Sequence, residues 1–419
     1  MYNFNKTENS ILNLNSYTYD YWLKLVDAIE SYTSNKISMN NEYFYYNGVN
    51  FVAAFERMIY FEIMSNVNYV KEIKYAILNN SIVLVHNPTH KDILSGCYPS
   101  LNIKFKVKVI PNLILKNIVL SNKFLTKQYL KYSNTKISYD DYKTVRYVFV
   151  IIHHKFIHYM APIYKELKDA LFIICGDKDK SLKICNINNY KYEILNNITK
   201  VNGQTNKDMS DLIAIYENVK LFVSHSNPKC IIIPEGNAPV YELFNLVSKK
   251  NNKIKTICIQ QGWSPVYHNG FRKMHYDIFL TWGEEFSNLL QKYNPDQKFK
   301  AVGNHILKLN QTKKVKSSIA FFHQGINFII TQKDSDLFFK LAITLATKYK
   351  KIKIIIREHP SNPIDSTTKN ELLQHNNIIF MNPDKYTLSE VLAVSKIAIS
   401  VYSTVLYEAM VFDVIPLSF

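Results

Sequence analysis

Residues 147–175 read YVFVIIHHKFIHYMAPIYKELKDALFIIC. Two short, continuous apolar runs, Tyr147–Ile152 and Leu171–Cys175, stand at either end of a segment long enough for a helix. Runs of this kind, rich in β-branched and aromatic residues with no polar alternation, predict strands buried on both faces. Parallel sheets with crossover helices produce such strands. Working outward, the rhythm recurs at Leu221–Ser224, Cys230–Ile233, Thr256–Ile259 and Ile278–Thr281. A second series follows at Ser318–Phe322, Ile352–Ile356, Ile378–Met381, Ile397–Val401 and from Ile415 to the end. The economical expectation is an α/β chain with two doubly wound, Rossmann-type units in tandem. Their hinge is expected between Trp282 and Lys316, where Asn294, Pro295 and the Asn310–Lys316 stretch are polar and turn-rich. The final run ends at Phe419 with no closing helix, which predicts a truncated or unusually short second domain.

Ahead of this pattern, Tyr17–Tyr32 and Phe51–Leu78 carry apolar residues at helical spacing, Ile82–His86 is a strand candidate, and Ile110–Tyr132 is apolar and basic. The expected organisation is a mainly helical extension over 1–140, a first Rossmann-like domain over 141–300 and a second over 301–419. No chemistry attaches to the extension. His86 and His90 in HNPTH lack a companion ligand cluster, so a loop held by Asn87 and Pro88 is the simpler reading.

Composition narrows the class. The 51 Lys+Arg against 34 Asp+Glu leave a net charge of +17, and the arginines are Arg57, Arg146, Arg272 and Arg357 alone. A lysine-rich field attracts phosphates and anionic lipid. The lysines are scattered, without a basic-aromatic stripe, so no nucleic-acid partner is expected. Five cysteines without CxxC spacing read as reduced core residues of a cytoplasmic protein. The N-terminus lacks a signal peptide's basic flank and apolar segment, and no run reaches the ~20 apolar residues that span a bilayer. The expected location is the cytoplasm, soluble or peripheral at the inner face of the plasma membrane.

In open parallel sheets ligands bind beyond the carboxyl ends of the strands. Those positions hold His153-His154, Glu235-Gly236-Asn237, Gln261-Gly262, His323-Gln324-Gly325, Arg357-Glu358-His359-Pro360 and Tyr402-Ser403-Thr404. Arg357 can fork donors onto a phosphate and His359 adds another donor near neutral pH, unless Arg357 pairs with Glu358 and His359 caps a loop. Ser403 or Thr404 is placed to cap a helix whose free amides suit an anion, and capping alone also explains the hydroxyls. Glu408, a turn later, reaches ribose hydroxyls or simply faces water. Gly325 lets backbone approach a phosphate, or merely makes a tight turn. His153 and His154 suit an acceptor site or a second base, and a purely structural role fits them equally. Asp177-x-Asp179 and Asp334-x-Asp336 read as surface loops rather than cation sites, so no metal is expected.

Several of these motifs together, Glu235-Gly236-Asn237, Gln260-Gln261-Gly262 with His268, Thr281-Trp282-Gly283-Glu284, Val302-Gly303-Asn304, Arg357-Glu358-His359-Pro360 and Ser403-Thr404 with Glu408-Ala409, resemble those of bacterial GT-B glycosyltransferases of surface (capsular or lipopolysaccharide) polysaccharide synthesis. The group includes capsular polysaccharide transferases, polysialyltransferases and the glycerophosphotransferases of teichoic acid synthesis. The resemblance covers about residues 147–419. It implies a GT-B-like fold, in which the two Rossmann-type domains face a cleft, with the first taking the acceptor and the second the donor. It also implies an inverting, metal-independent enzyme without a cofactor, which moves a sugar from a nucleotide-activated donor to a growing cell-surface polysaccharide or a lipid-linked (polyprenyl) glycan. By the same resemblance Glu235 is the base, and the strand-end positions add His153 and His154 as further catalytic candidates. Gly262, His323, Gly325, Arg357, His359, Ser403, Thr404 and Glu408 would bind the donor. Pro234 stands where the first acid of the bacterial sialyltransferase pair would be, a departure that bears on sialic acid as donor and not on the base. A sugar-nucleotide epimerase of the same fold and a non-catalytic nucleotide-sugar-binding homologue are the alternatives.

Overall fold

The computed structural model describes residues 19–65, 73, 81–85, 88–97, 104–107, 145–195, 207–251, 253–262, 271–306, 316–326, 330, 332–359, 362–401 and 403–419. They divide into two units, Tyr19–Asn304 and His305–Phe419. The candidates His86, Asn87, His268, Pro360 and Tyr402, and the Ile110–Tyr132 stretch, lie outside the described residues.

The first unit opens with α1 (Tyr19–Met39), an antiparallel pair β1 (Tyr45–Tyr46) and β2 (Val49–Asn50), and α2 (Val52–Ser65). Next come β3 (Ile82–Val85), α3 (Pro88–Cys97) and β4 (Lys104–Val107), the two strands pairing in parallel. HNPTH is not simply a loop: Pro88 starts α3, where its missing N–H costs nothing, and buried His90 places Nε2 3.1 Å from Glu62 Oε2. The main sheet then follows: β5 (Tyr147–Ile151), α4 (Lys155–Glu166), β6 (Ala170–Ile174), α5 (Lys178–Ile187), β7 (Tyr192–Ile194), α6 (Lys207–Ser226), β8 (Cys230–Pro234), α7 (Pro239–Lys250), β9 (Lys255–Ile259), β10 (Ile278–Thr281), α8 (Glu284–Gln291) and β11 (Phe299–Ala301). All seven strands from β5 to β11 are parallel, in the order β11-β10-β9-β8-β5-β6-β7.

The central strands β6 and β8 are buried at every residue, which is why their sequences show no polar alternation. Helix α4 buries Phe156, Ile157 and Met160, an i, i+1, i+4 stripe, against Phe149, Phe172 and Ile232. One predicted strand is a helix. Leu221–Ser224 forms the last turns of α6, because Leu212, Tyr216, Val219 and Val223 are buried at 3.6-residue spacing while Leu221 is exposed. The short run matched a strand only when read apart from the turns before it.

The N-terminal helices belong to this same unit. Arg57 on α2 and Glu242 on α7 form a fully buried ion pair, and His275 Nε2 lies 2.6 Å from the other Glu242 oxygen. Beside them Lys273 Nζ meets Glu56 Oε1 at 2.8 Å, and the Phe51 ring stacks edge-on against Tyr216 on α6 at 5.2 Å. Burial would push the Glu242 carboxyl up, but Arg57 and His275 outweigh it and hold the group at about 2.

The second unit comprises β12 (Ser318–Phe322), α9 (Gln332–Lys348), β13 (Ile354–Arg357), α10 (Ser366–Leu373), β14 (Ile378–Phe380), α11 (Leu388–Val394), β15 (Ser395–Ser400), α12 (Val405–Val411) and β16 (Ile415–Ser418). Its five parallel strands run β14-β13-β12-β15-β16. One face of this sheet buries Phe321, Ile356 and Ile399 with Phe338 and Ala342 of α9, and the other buries Ala320, Ile355 and Ala398 with Val391, Leu392 and Ala409. The architecture is α/β with two doubly wound parallel sheets. The five free cysteines are Cys97, Cys185, Cys230 and Cys258, all buried, and the half-buried Cys175.

Candidate functional site

Each sheet reverses its winding at one point. In the first, β6 and β7 extend from one side of β5, and β8 to β11 from the other; in the second, β13 and β14 leave one side of β12, and β15 and β16 the other. A reversal opens a crevice beyond the carboxyl ends, because the loops on its two sides turn away from each other. The residues bounding these crevices are His153-His154 and Glu235 in the first unit, and His323-Gln324-Gly325 and Ser403-Thr404 in the second.

At the second crevice there is a cavity of about 240 Å³ lined by Phe322, His323, Gln324, Arg357, Glu358, His359, Leu388, Ser403, Thr404, Val405 and Glu408. It is smaller than the roughly 300–1,000 Å³ of a pocket for a whole drug-sized ligand, so it suits part of a larger molecule. Arg357 ends β13 and gives one N–H to the Tyr386 carbonyl at 2.6 Å, which aims the guanidinium and leaves its other donors for a ligand. Glu358 does not pair with Arg357. Its carboxylate takes the Ile364 amide at 2.8 Å and the Lys369 ammonium at 2.9 Å. Exposed His359 bridges to Asn362 through backbone.

Three groups at this site have surroundings that the sequence does not show. His323 is buried against Phe338 and Phe339, with Nε2 3.0 Å from Ser335 Oγ and Nδ1 without a partner. Burial, aided by nearby His359 and opposed by Glu358, lowers its pKa to about 4, so it faces the cavity as a neutral imidazole rather than a cation. Gly325 is required by protein: at φ +78 an added Cβ would stand 2.3 Å from Asn362 Cβ. The hydroxyls cap weakly. Thr404 makes no side-chain cap, Ser403 Oγ accepts the Val405 amide at 3.3 Å, and α12 is only seven residues long. Glu408 is on the cavity wall, and burial raises its carboxyl to about 7.

In the first unit Glu235 sits directly beyond β8 at φ +66, followed by Gly236 at φ +76. Two successive left-handed residues turn the chain sharply, and a non-glycine residue held there stores backbone strain of the kind found at functional sites. The turn is pinned by the Glu235 amide to the Ile259 carbonyl at 2.8 Å and by the Tyr276 hydroxyl to the Gly236 carbonyl at 2.8 Å. A Cβ on Gly236 would fall 2.5 Å from Cys258 Sγ. Burial raises the Glu235 pKa, partly offset by the Lys155 charge and an Asn237 hydrogen bond. The Tyr241 hydroxyl, buried and without a hydrogen-bond partner, feels the same carboxylate.

His153 and His154 stack with ring centres 4.4 Å apart, and His154 Nδ1 hydrogen-bonds Asp177. Asp177 was expected in a solvated loop. The parallel register explains the meeting: Ile151 pairs Ile174, so His154 lies opposite Asp177 where the two strands exit. No spacing in the sequence announces this partner. Gly262 follows β9, and its carbonyl accepts from Gln260 Nε2 at 2.9 Å. Gln260 Oε1 in turn accepts the Trp282 amide at 2.8 Å, so two of the quoted motifs clasp each other.

No protein-family model and no curated protein matches the chain. Solved structures that match include UDP-GlcNAc 2-epimerase from Neisseria meningitidis bound to UDP-GlcNAc, at TM-score 0.48 and 16% identity over 65% of this chain and 82% of that one. The UDP-GlcNAc 2-epimerase from Methanocaldococcus jannaschii matches at TM-score 0.45 and 14% identity, over 65% and 83%. Acinetobacter baumannii MurG matches at 0.41 and 7%, over 62% and 72%.

Proposed function

We propose that the chain is an inverting glycosyltransferase that draws on a nucleotide-activated sugar and extends a cell-surface polysaccharide or lipid-linked glycan. The observation that carries this reading is the cavity at the winding reversal of the second sheet, where Arg357, His359, Ser403 and Glu408 converge. Arg357 offers a permanently charged planar fork suited to phosphate oxygens, and His359 and Ser403 add donors around it. Protonated Glu408 can donate to a phosphate or ribose oxygen, whereas the ionised form repels phosphate. The Arg357 cation and the neutral donors around it carry the leaving group's charge in this scheme, and no metal is assigned that task.

The acceptor step falls to Glu235. As the acceptor oxygen forms its bond to the anomeric carbon, the bond from that carbon to phosphate breaks. The electron pair leaves with the nucleotide and the hydroxyl proton passes to the carboxylate. A carboxylate whose pKa is raised by burial is a stronger proton acceptor than an ordinary surface carboxylate. Single displacement inverts the anomeric centre.

Incubation with CMP-, UDP-, GDP- and CDP-linked sugars, with and without glycan acceptors, tests the reading. Nucleotide release that requires an acceptor is expected. Release of free or epimerised sugar without one would replace the transferase by an epimerase, and binding without turnover would leave a non-catalytic homologue. Among the described residues no helix is long and apolar enough to cross a membrane. In this reading, access to a lipid-linked acceptor rests on peripheral attraction of the +17 chain to anionic lipid.

A further inference from the structure

His153, His154 and Asp177 present one ligand atom each, all within 4.8 Å of one another. They reach this arrangement through the fold rather than through a local motif. Strands β5 and β6 run parallel with Ile151 opposite Ile174, so the two exits leave the sheet side by side. Gly176 lets them touch, since a Cβ there would meet the Ile152 carbonyl oxygen at 2.4 Å.

Asp177 is the key residue. It occupies the N-cap position of α5, at φ +45, yet its carboxylate caps nothing in that helix. Asp365, at the equivalent place on α10, does cap, accepting the Thr368 amide at 2.9 Å. The Asp177 carboxylate turns instead to His154 Nδ1 and the His154 amide, with His153 Nε2 3.9 Å away. A favourable local bond has been given up for a meeting with two imidazoles.

We propose that these three residues form a binding site for a divalent transition ion of the zinc class, with His153 Nε2, His154 Nδ1 and Asp177 Oδ2 as ligands. Two imidazoles and one carboxylate are a donor set suited to such ions and poorly suited to Mg²⁺ or Ca²⁺, which take oxygen ligands. Around a tetrahedral ion with bonds of about 2.0–2.1 Å, ligand atoms stand about 3.3 Å apart. An ion entering between them opens the direct His154–Asp177 hydrogen bond and draws His153 Nε2, 3.9 Å from Asp177 Oδ2, closer by less than an ångström, and the His153 side chain is 47% exposed and able to turn. Metal on Nε2 puts the ring proton on Nδ1, so the 3.3 Å contact from the Lys155 amide is exchanged for solvent. Three protein ligands and partial exposure leave a coordination position open to water or a substrate oxygen. The ion sits at the winding reversal of the first sheet, and the leaving-group chemistry proposed for the second sheet does not depend on it.

The test is calorimetric titration of Zn²⁺ into the untagged, chelator-treated full chain, with Co²⁺ absorption as a second probe. One ion per chain is expected. His153→Ala, His154→Ala and Asp177→Asn should each weaken binding by about 10-fold or more, and the double histidine variant should abolish it. His225→Gln, an exposed histidine elsewhere, should leave binding unchanged. Far-UV circular dichroism verifies folding, and exposed His153 serves where His154→Ala fails to fold. Absence of stoichiometric binding, or binding that survives loss of both histidines, overturns the proposal. Neither result bears on the donor assays.

Discussion

Replacing Glu408 with Gln should make the second unit more stable at pH 8 and have a much smaller effect at pH 5. Burial raises this carboxyl from 4.5 to about 7. Below about pH 4.5 the group is protonated in both folded and unfolded chains and exacts no penalty. Between 4.5 and 7 the unfolded chain releases its proton while the folded chain keeps it, so stability falls as pH rises. Above 7 the loss is complete. At 1.36 kcal/mol per pKa unit it reaches about 3 kcal/mol, an upper value because water entering the cavity reduces it. Glutamine has no charge to bury and escapes the whole term. All three tryptophans precede residue 305, so fluorescence would follow the wrong unit. Hydrogen exchange of amides in Ser318–Phe322 and Ile354–Arg357 reads the correct one. At pH 8 the Gln variant should protect these amides up to about 300-fold more than the parent, and at pH 5 by less than about fivefold. Equal protection at both pH values, or a gain that does not grow with pH, would refute the burial argument. Donor affinity should follow the same titration: it weakens above pH 7 in the parent, as the ionised carboxylate repels phosphate, and stays level in Glu408→Gln.

Glu235→Gln keeps shape and hydrogen bonding but cannot accept a proton, so transfer should fall by about 100-fold or more while donor binding persists; transfer near the parent rate would remove the base assignment. His359→Ala should weaken donor binding by about 1.5–3 kcal/mol, measured by titration calorimetry, and unchanged affinity would return His359 to a loop role. Arg57→Ala leaves Glu242 buried without its main partner and should cost about 3–5 kcal/mol in a denaturant titration of the first unit; a cost under about 1 kcal/mol would show that His275 suffices. Flotation with anionic vesicles, lost in high salt and absent with neutral vesicles, is expected from the charge of +17.

The strands were legible because burial on both faces leaves its mark within a few adjacent residues. Cys230–Ile233 and Ile354–Ile356 needed no knowledge of their neighbours to be read as interior strands, and the doubly wound class followed from their spacing. So did the polar residues just beyond them, since a strand's carboxyl end is a property of chain direction. Leu221–Ser224 marks the edge of that legibility. Three apolar residues and a serine fit either period, and only the buried series from Leu212 to Val223 assigns them to a helix.

Partnerships lay beyond reach of such reading. Asp177 meets His154 because β5 and β6 pair in one register, Arg57 meets Glu242 across 185 residues, and Glu358 turns from its neighbour Arg357 to Lys369. The electrostatic character of the site is of the same kind. His323 is neutral because Phe338 and Phe339 enclose it, and the Glu408 carboxyl is raised to about 7 because it is half-buried on the cavity wall. Periodicity is a local signal, set by each residue's own chance of facing water. Strand order, register and dielectric surroundings depend on which distant segments arrive beside a residue, so sequence by itself determined the α/β class and the candidate positions, and tertiary structure alone decided which of those groups meet and in what charge state.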